Sequence, residues 1–279
     1  MITSLIFVFG LFIGSFLNCV IYRMEMRDKG GITSFAQGRP RRKAFGFLRG
    51  RSFCPNCKHT LSWIDLIPIF SFLFLKGKCR HCGKRISWQY PLVEIATGLL
   101  FLLIFNFQSV PQTSPRVYFY YWVLISCFLI IIFVYDLKHY IIPDKIIFPA
   151  IAIAVLYRLF EILNFGYWDL IGIINPLVAG MGGAMFFLII VLVSRESWMG
   201  MGDVKLAILM GLLLGFPNIL VSLFFAFLIG AIIGIGLIIL KKKTLKSEVP
   251  FGPFLILGAY IALFFGDKIV NWYLNLSLL

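Results

Sequence analysis

Charge and histidine are scarce in this sequence. Only 14% of the 279 residues are charged, and the chain has 12 acidic residues and three histidines. So little charge excludes an ordinary soluble globular protein. The histidines, His59, His81 and His139, form no Ser-His or Cys-His constellation in the sequence, so nucleophilic catalysis of that kind is not indicated.

Hydrophobic residues make up 60% of the chain, which predicts an all-α polytopic integral membrane protein. We expect about eight transmembrane helices from apolar runs near 1–22, 91–108, 117–135, 145–163, 171–193, 204–216, 218–240 and 251–266. The run 204–216 is short for a bilayer, which needs about 20 residues. We therefore expect its irregular start to lie inside protein or beside water.

The basic residues predict the orientation of the chain in the membrane. Residues 23–90 hold 15 of the 26 Lys and Arg residues and carry a net charge of +12, which favours the cytoplasmic side. With eight crossings, the loops on the opposite side contain a single basic residue, Arg116. We predict three parts: a first transmembrane helix (1–22), a basic cytoplasmic lobe (23–90) and a seven-helix membrane domain (91–279).

Two aspartates stand at the predicted inner ends of apolar segments. Asp136 closes a helix, where its charge meets the negative end of the helix dipole, so capping does not explain it. Asp203 begins a segment and follows Gly200 and Gly202, which allow another backbone or a substrate to come close. A carboxylate at membrane depth costs several kcal/mol, about 3 on insertion scales, and is usually functional.

A pair of carboxyl groups a few ångströms apart shares one proton, because both cannot ionise together. The charged partner then activates water, and the protonated one protonates the carbonyl oxygen of a peptide bond. Asp136 and Asp203 are therefore candidates for an aspartic peptidase dyad. The alternative is an ion-coupled transporter that uses the same acids as proton or cation sites, although no repeated halves are visible in the sequence.

Three further residues are candidates for supporting this site. Asp144 follows Pro143 and is also well placed to cap the next helix. Lys205 lies two residues after Asp203 on the predicted inner side. Glu94 either stabilises the start of its helix through the dipole or contacts a cationic group of a substrate.

Four cysteines form two C-x-x-C pairs separated by 21 residues: Cys54, Cys57, Cys79 and Cys82. Four thiolates at this spacing predict a closed tetrahedral zinc site that stabilises structure and has no catalytic position. A disulfide is less favoured in a reducing cytoplasm. An iron–sulfur or redox role stays open.

Two other stretches of the polar lobe are distinctive. Met24–Phe53 is rich in arginine and lysine, which favours contact with anionic lipid headgroups. Nucleic-acid binding is not favoured, because the stretch has no aromatic stacking pattern. The apolar stretch 63–75 is too short to span, and it either lies in the membrane interface or packs on the cysteine lobe.

In these motifs the sequence resembles the type IV prepilin peptidase family. The matching segments are Gly14–Arg23, Cys54–Cys82, Tyr90–Glu94, Asp136 with the Ile-Pro-Asp of 142–144, and the Gly-Met-Gly-Asp-Val-Lys of 200–205. The resemblance covers most of the chain in the right order, whereas Gly-X-Gly-Asp alone would be weak.

The resemblance implies a bacterial inner-membrane aspartic peptidase with Asp136 and Asp203 as its dyad and with zinc on the four cysteines. Its substrates would be prepilins of type IV pili or pseudopilins of type II secretion, cut on the cytoplasmic side after a glycine. The new N-terminus would then be methylated with S-adenosylmethionine. No glycine motif for that cofactor is visible, so a peptidase of another substrate without methyl transfer is the alternative.

Overall fold

The computed structural model describes residues 1–36, 52–107, 115–165, 170–241 and 249–277. Over these ranges the chain is helical, with two isolated β-bridges and no strand. Its α-helices are α1 (Ile2–Ala36), α2 (Phe70–Phe74), α3 (Gln89–Asn106), α4 (Pro115–His139), α5 (Asp144–Phe165), α6 (Leu170–Ser194), α7 (Met201–Leu214), α8 (Asn218–Ile239) and α9 (Gly252–Ser277). A 3₁₀ helix spans Ile64–Leu66.

Seven of the described helices are long and apolar enough to cross a membrane: α1, α3, α4, α5, α6, α8 and α9. The predicted all-α membrane fold is thereby confirmed. The remaining apolar run is α7, which has only 14 residues. Helix α1 extends beyond the predicted end at residue 22, because no proline interrupts the chain before Pro40.

The chain divides into two compact units, Met1–Gln108 and Ser109–Leu279. The predicted division into 1–22, 23–90 and 91–279 concerns function and stays a prediction. Most of Met24–Phe53 lies outside the described residues, which resume at Ser52.

In the first unit, α1 and α3 pack antiparallel through small residues. A Cβ atom added to Gly10 would lie 2.6 Å from the Cα of Gly98, and one added to Gly14 would lie 2.7 Å from the Cα of Glu94. Close to the other end of this contact, the Asn18 side chain donates a hydrogen bond to the Tyr90 carbonyl (3.1 Å). Small residues at helix contacts allow this close approach in membranes.

In the second unit, α7 is the most enclosed helix of the described residues. Nine of its 14 residues are buried, and it contacts α5, α6, α8 and α9. The Cα of Gly211 lies against the backbone of Gly180 in α6, so a side chain at Gly211 has no room. A helix too short to cross the bilayer is tolerated here because other helices cover it.

The carboxyl end of α7 is held by side chains of two neighbouring helices. The guanidinium of Arg158 in α5 donates hydrogen bonds to the carbonyls of Leu212 (3.2 Å) and Leu213 (3.1 Å) and pairs with Glu161 (2.9 Å). The Asn175 side chain in α6 donates to the Phe216 carbonyl (2.8 Å). The last carbonyls of a helix have no partner within the helix, so Arg158 satisfies two of them in α7, while Asn175 holds the chain just beyond its end.

Replacing Arg158 with methionine should lower the thermal stability of the purified protein. The change leaves helix-end carbonyls unpaired, at a cost of about 1–3 kcal/mol for each buried group that stays unsatisfied. Thermal unfolding in detergent measures the effect. The exposed Arg116 offers the matched control, Arg116→Met, which should unfold close to the wild-type temperature. Equal unfolding of the two variants would contradict the capping role.

Candidate active site and metal centre

Asp136 and Asp203 lie together in the second unit. Asp136 is in the last turn of α4 and Asp203 in the first turn of α7, and they are 4% and 9% exposed. Their carboxyl groups are close enough for the charge of Asp136 to act on Asp203. The structure thus brings together the two acids that the sequence analysis paired, 67 positions apart in the chain.

A backbone amide from a third helix meets Asp136. The N–H of Gly252, the first residue of α9, donates a hydrogen bond to Oδ2 of Asp136 (3.1 Å). The amino end of a helix carries partial positive charge, so α9 offsets the unfavourable position of Asp136 at the end of α4. A carboxylate that accepts such a bond is stabilised in its charged form.

Sequence analysis missed Gly252. A Cβ atom at this position would lie 2.6 Å from Oδ2 of Asp136, so only glycine allows the amide to approach this closely. The sequence carries a signal for it, because Gly252 precedes Pro253 at the start of a helix, where proline is favoured.

Ile142 packs against two glycines of the cluster that contains Asp136, Asp203 and Gly252. A Cβ atom on Gly202 would lie 3.0 Å from the Cβ of Ile142, and one on Gly252 would lie 3.4 Å from its Cδ1. Of the two glycines predicted before Asp203, Gly202 is the one that a close contact requires. A Cβ atom on Gly200 would meet its nearest atom at 3.9 Å, while the Gly200 carbonyl accepts the amide of Asp203 (3.1 Å).

Asp144 and Lys205 form an ion pair at the edge of the cluster. Nζ of Lys205 lies 2.5 Å from Oδ1 of Asp144 and 5.2 Å from the ring centre of Phe148. Asp144 is the first residue of α5 and Lys205 is in α7, so the pair joins the amino ends of these two helices. Because the Asp144 side chain is 59% exposed, the pair contributes about 0–1 kcal/mol and chiefly fixes geometry.

The geometry of the two aspartates suits general acid–base chemistry. Two neighbouring carboxyl groups in a low-dielectric site hold one proton between them, so one is an acid and the other a base. Lys205 neutralises Asp144, which leaves Asp136 and Asp203 as the pair available for this exchange.

Glu94 belongs to the first unit and has a backbone partner of its own. It is 6% exposed in α3, and its Oε2 accepts a hydrogen bond from the N–H of Ile69 (2.8 Å). This contact is part of the fold of the first unit. Its predicted contact with a substrate cation stays a prediction.

The four cysteines converge as predicted. Their Sγ atoms all lie within 4.8 Å of one another, and those of Cys54 and Cys82 are 3.9 Å apart. A zinc–sulfur distance of about 2.3 Å places the thiolates of a tetrahedral site about 3.8 Å apart, so the four side chains fit a metal ion. None of the six cysteines is in a disulfide.

The two C-x-x-C pairs are built by equivalent turns. The Cys54 amide donates to the His59 carbonyl and the Cys79 amide to the Lys84 carbonyl, at 2.9 and 2.8 Å. The backbone amides of Cys82 and His81 lower the pKa of the Cys79 thiol to about 7, which favours the thiolate that a metal binds. The rings of His59 and His81 lie over each other at a tilt of 38°, with 3.6 Å between their centres, and neither belongs to the set of four sulfurs.

Comparison with known proteins identifies the family of this chain. Residues 8–107 match the model of the bacterial peptidase A24 N-terminal domain, and residues 123–235 match that of the type IV leader peptidase family. The chain is 33% identical to a prepilin leader peptidase/N-methyltransferase of Aeromonas salmonicida (strain A449), over 98% of this chain and 94% of the relative. The chain belongs to the type IV leader peptidase family. The resemblance inferred from the sequence motifs is confirmed.

Other relatives of the same name extend over nearly the whole chain. The identity is 30% with the protein of Bacillus subtilis (strain 168), over 99% of both chains, and 29% with that of Pseudomonas aeruginosa, over 96% of this chain and 92% of the relative. No solved structure matches significantly. Because the chain belongs to a leader peptidase family, we no longer consider an ion-coupled transporter as an alternative. Asp136 and Asp203 lie within the segment that matches the leader peptidase model, and the four cysteines lie within the N-terminal one.

Replacing Gly252 with alanine should strongly reduce peptidase activity. The new methyl group forces the carboxyl group of Asp136 to move, and a displacement of about 1 Å at a reacting group costs about 10²-fold in rate. Initial cleavage rates of purified variants measure the loss. The control is Gly234→Ala in α8, where an added Cβ atom meets nothing within 4 Å. Wild-type rates for Gly252→Ala would disprove the role of this amide.

Proposed function

We propose that this protein removes the leader from prepilins or pseudopilins and then methylates the new N-terminus, with Asp136 and Asp203 as the catalytic dyad. One observation carries the proposal: two buried carboxyl groups lie close enough to interact electrostatically in a member of the type IV leader peptidase family. The relatives are named as leader peptidases and N-methyltransferases, which supports both activities.

The contacts of the two acids suggest different roles for them. Asp136 accepts the amide of Gly252 at a helix amino end, which favours its charged form. Asp136 is then the base that removes a proton from water. Asp203 holds the shared proton and gives it to the carbonyl oxygen of the scissile peptide. The water oxygen attacks the carbonyl carbon, which gives a diol at that carbon. The C–N bond then breaks as Asp136 gives the proton it took from water to the amine nitrogen, and Asp203 recovers a proton from a diol hydroxyl.

The orientation of the site follows from charge. The net charge of +12 on residues 23–90 supports a cytoplasmic position for that lobe, in a bacterial inner membrane. The predicted topology places Asp136 and Asp203 on the same side, where the basic leader of a membrane-anchored substrate would lie. The peptide bond after the leader's terminal glycine must leave its helix before cleavage, because a helical bond is hydrogen-bonded and shielded.

The predicted functional division of the chain is part of the proposal. Residues 91–279 would supply the peptidase chemistry, 23–90 the metal-binding lobe, and 1–22 the first crossing. The basic stretch Met24–Phe53 would contact anionic headgroups at the membrane surface, at about 1 kcal/mol for each cation.

Methyl transfer would follow cleavage, because only cleavage exposes the amine that receives the methyl group. S-adenosylmethionine supplies that group when bound. We assign no residue to its binding, since the described residues contain no strand and hence no strand-to-helix glycine turn. The methyl-transfer proposal rests on the names of the relatives.

We assign zinc to the four-cysteine site, with a structural role. Four thiolates complete a tetrahedron and leave no position for water or substrate. The ion would hold together two turns from distant parts of the lobe, which the packing of so small a segment does not stabilise by itself.

Changing Asp136 or Asp203 to asparagine should abolish cleavage while the protein stays folded in the membrane. Asparagine cannot exchange a proton, and loss of a general acid or base costs about 10²–10⁴-fold. Mass spectrometry of a purified prepilin incubated with each variant in detergent measures leader removal. A second series with S-adenosylmethionine measures addition of a single methyl group.

Asp267→Asn is the matched control for the dyad variants. Asp267 is exposed and accepts a hydrogen bond from Asn218 (2.9 Å), which an asparagine can also accept, so cleavage should be unchanged. Normal cleavage by either dyad variant would remove that residue from the mechanism. Leader removal without methylation by the wild type would keep the peptidase and reject the transferase.

The purified protein should contain one zinc ion per chain, and Cys54→Ser should lose most of it. The change removes one of four thiolates and leaves a site with an open position. Elemental analysis by mass spectrometry counts the metal. The control is Cys127→Ser in α4, since Cys127 is not among the four clustered cysteines. A full zinc content in Cys54→Ser would contradict the site.

A further inference from the structure

An exposed apolar surface lies between the two cysteine pairs, and we call it the α2 surface. Its members are Trp63, Phe70, Leu73 and Phe74, each between 58% and 83% exposed. Apolar side chains that cluster on a surface mark contact with a membrane or another molecule. The cysteine site does not explain them, because none of them is a metal ligand.

The hydrogen bond between Glu94 and Ile69 fixes the depth of this surface. Ile69 directly precedes α2, and its amide lies 2.8 Å from a carboxyl oxygen of Glu94. Glu94 is five residues into the membrane-spanning helix α3, which is about 7–8 Å along its axis at 1.5 Å per residue. The Glu94 side chain can reach back toward the helix start by about one turn, roughly 5 Å. The start of α2 therefore lies level with the first turns of α3, a helix long and apolar enough to span a membrane.

The packing of α1 gives a second measure of the depth of Glu94. Gly14 contacts Glu94 and lies in the middle of the apolar span Ile2–Arg27. Arg23, the first basic residue of α1, is nine positions after Gly14, which is about 13–14 Å of helix. Ile69 is thus well inside the level of the first charged residues.

The backbone at this turn meets the requirement that a membrane sets. Ile69 has a φ of +60°, which is rare for a β-branched residue, and its amide is outside any helix. In lipid such an amide needs an acceptor from the protein, and Glu94 supplies one. The contact thereby accounts for a buried carboxyl group in a membrane helix.

The side chains of α2 are sorted between its two faces. The Phe72 ring packs on Trp88, with 5.0 Å between centres, and lies next to Gly77. Phe70, Leu73 and Phe74 point away from that contact and are exposed. Residues 66–75 contain no charged side chain, and Lys76 follows them at once. An apolar face bounded by a cation is typical of a segment that lies in the membrane interface.

We propose that residues 63–75 are an in-plane membrane anchor, with Phe70, Leu73 and Phe74 inserted among the acyl chains of the leaflet that holds the amino end of α3. Lipid is favoured over a protein partner by this depth and by continuity with exposed apolar residues of α3, namely Leu92, Ile95, Leu99 and Leu103. The anchor is independent of the catalytic assignment, because it involves neither Asp136 nor Asp203.

The anchor would couple the metal site to the bilayer. The inserted segment begins six residues after Cys57 and ends four residues before Cys79. The ion pair between Arg80 and Asp65 (3.0 Å) ties the start of the segment to the second cysteine pair. Burial raises the pKa of Asp65, but hydrogen bonds from Ser62 and the charge of Arg80 outweigh it and hold the pKa below its usual value. A metal ion at the cysteines therefore closes a loop whose tip is the membrane anchor.

Fluorescence quenching from within the membrane tests the anchor. The full-length Phe74→Trp variant is placed in nanodiscs of phosphatidylcholine or of its chain-brominated form. We expect the emission added by the new tryptophan, relative to wild type, to be mostly lost in brominated lipid and little affected by aqueous iodide. Lys84→Trp, at an exposed charged position of the same lobe, is the control and should show the reverse.

Quenching of Phe74→Trp by iodide but not by brominated lipid would overturn the proposal and show a surface in water, open to a protein partner. Leu73→Trp provides a second reporter on the same face should Phe74→Trp fail to fold. Quenching is measured without substrate and without an activity assay. A failure of the peptidase proposal would therefore leave this result unchanged, and the reverse also holds.

Discussion

The hydrogen bond from Gly252 to Asp136 is the contact on which the second unit depends. A buried carboxylate at the carboxyl end of a helix is doubly unfavourable, through lost hydration and through the dipole of that helix. The amino end of α9 offsets both effects. This close approach requires a glycine at 252, which also contacts Ile142. Ile142 in turn packs on Gly202 of α7. Asp136, Gly252, Ile142 and Gly202 thus form one continuous set of contacts that ends next to Asp203 in the chain.

The same rule explains why a helix of 14 residues is stable inside a membrane protein. In a bilayer the ends of a helix must find partners within the protein. Lys205 near the start of α7 pairs with Asp144, and Arg158 binds the carbonyls at its end. Both partners belong to α5, so one membrane-spanning helix holds α7 at two levels. Asp203 is therefore presented from a fixed helix start, which suits a residue that must meet a second acid.

The sequence predicts the parts of this protein that are encoded locally. The apolar runs, each C-x-x-C pair and the unusual positions of Asp136 and Asp203 can each be recognised from a short stretch of sequence. Contacts between residues far apart in the chain could not be predicted from the sequence. Gly252 and Asp136 are 116 positions apart, and Arg158 and Leu212 are 54 positions apart. Run 204–216 was predicted as short, with its start inside protein or beside water, but the four helices that cover it could be identified only from the packing. For stretch 63–75 the sequence left the interface and the cysteine lobe as alternatives, and the contact between Ile69 and Glu94 supports our proposal of the interface.

Asp136 and Glu94 show how the surroundings divide similar carboxyl groups between chemistry and structure. Each is buried in a membrane helix, and each accepts a backbone amide from another segment. Asp136 lies close enough to Asp203 for the two carboxyl groups to interact electrostatically, and we propose that this pair exchanges a proton. The neighbours of Glu94 are the Ile69 amide and the Ser15 hydroxyl, which donate hydrogen bonds and do not exchange a proton at neutral pH. A carboxyl group surrounded by such donors is suited to holding a turn in place, and this favours a structural role for Glu94.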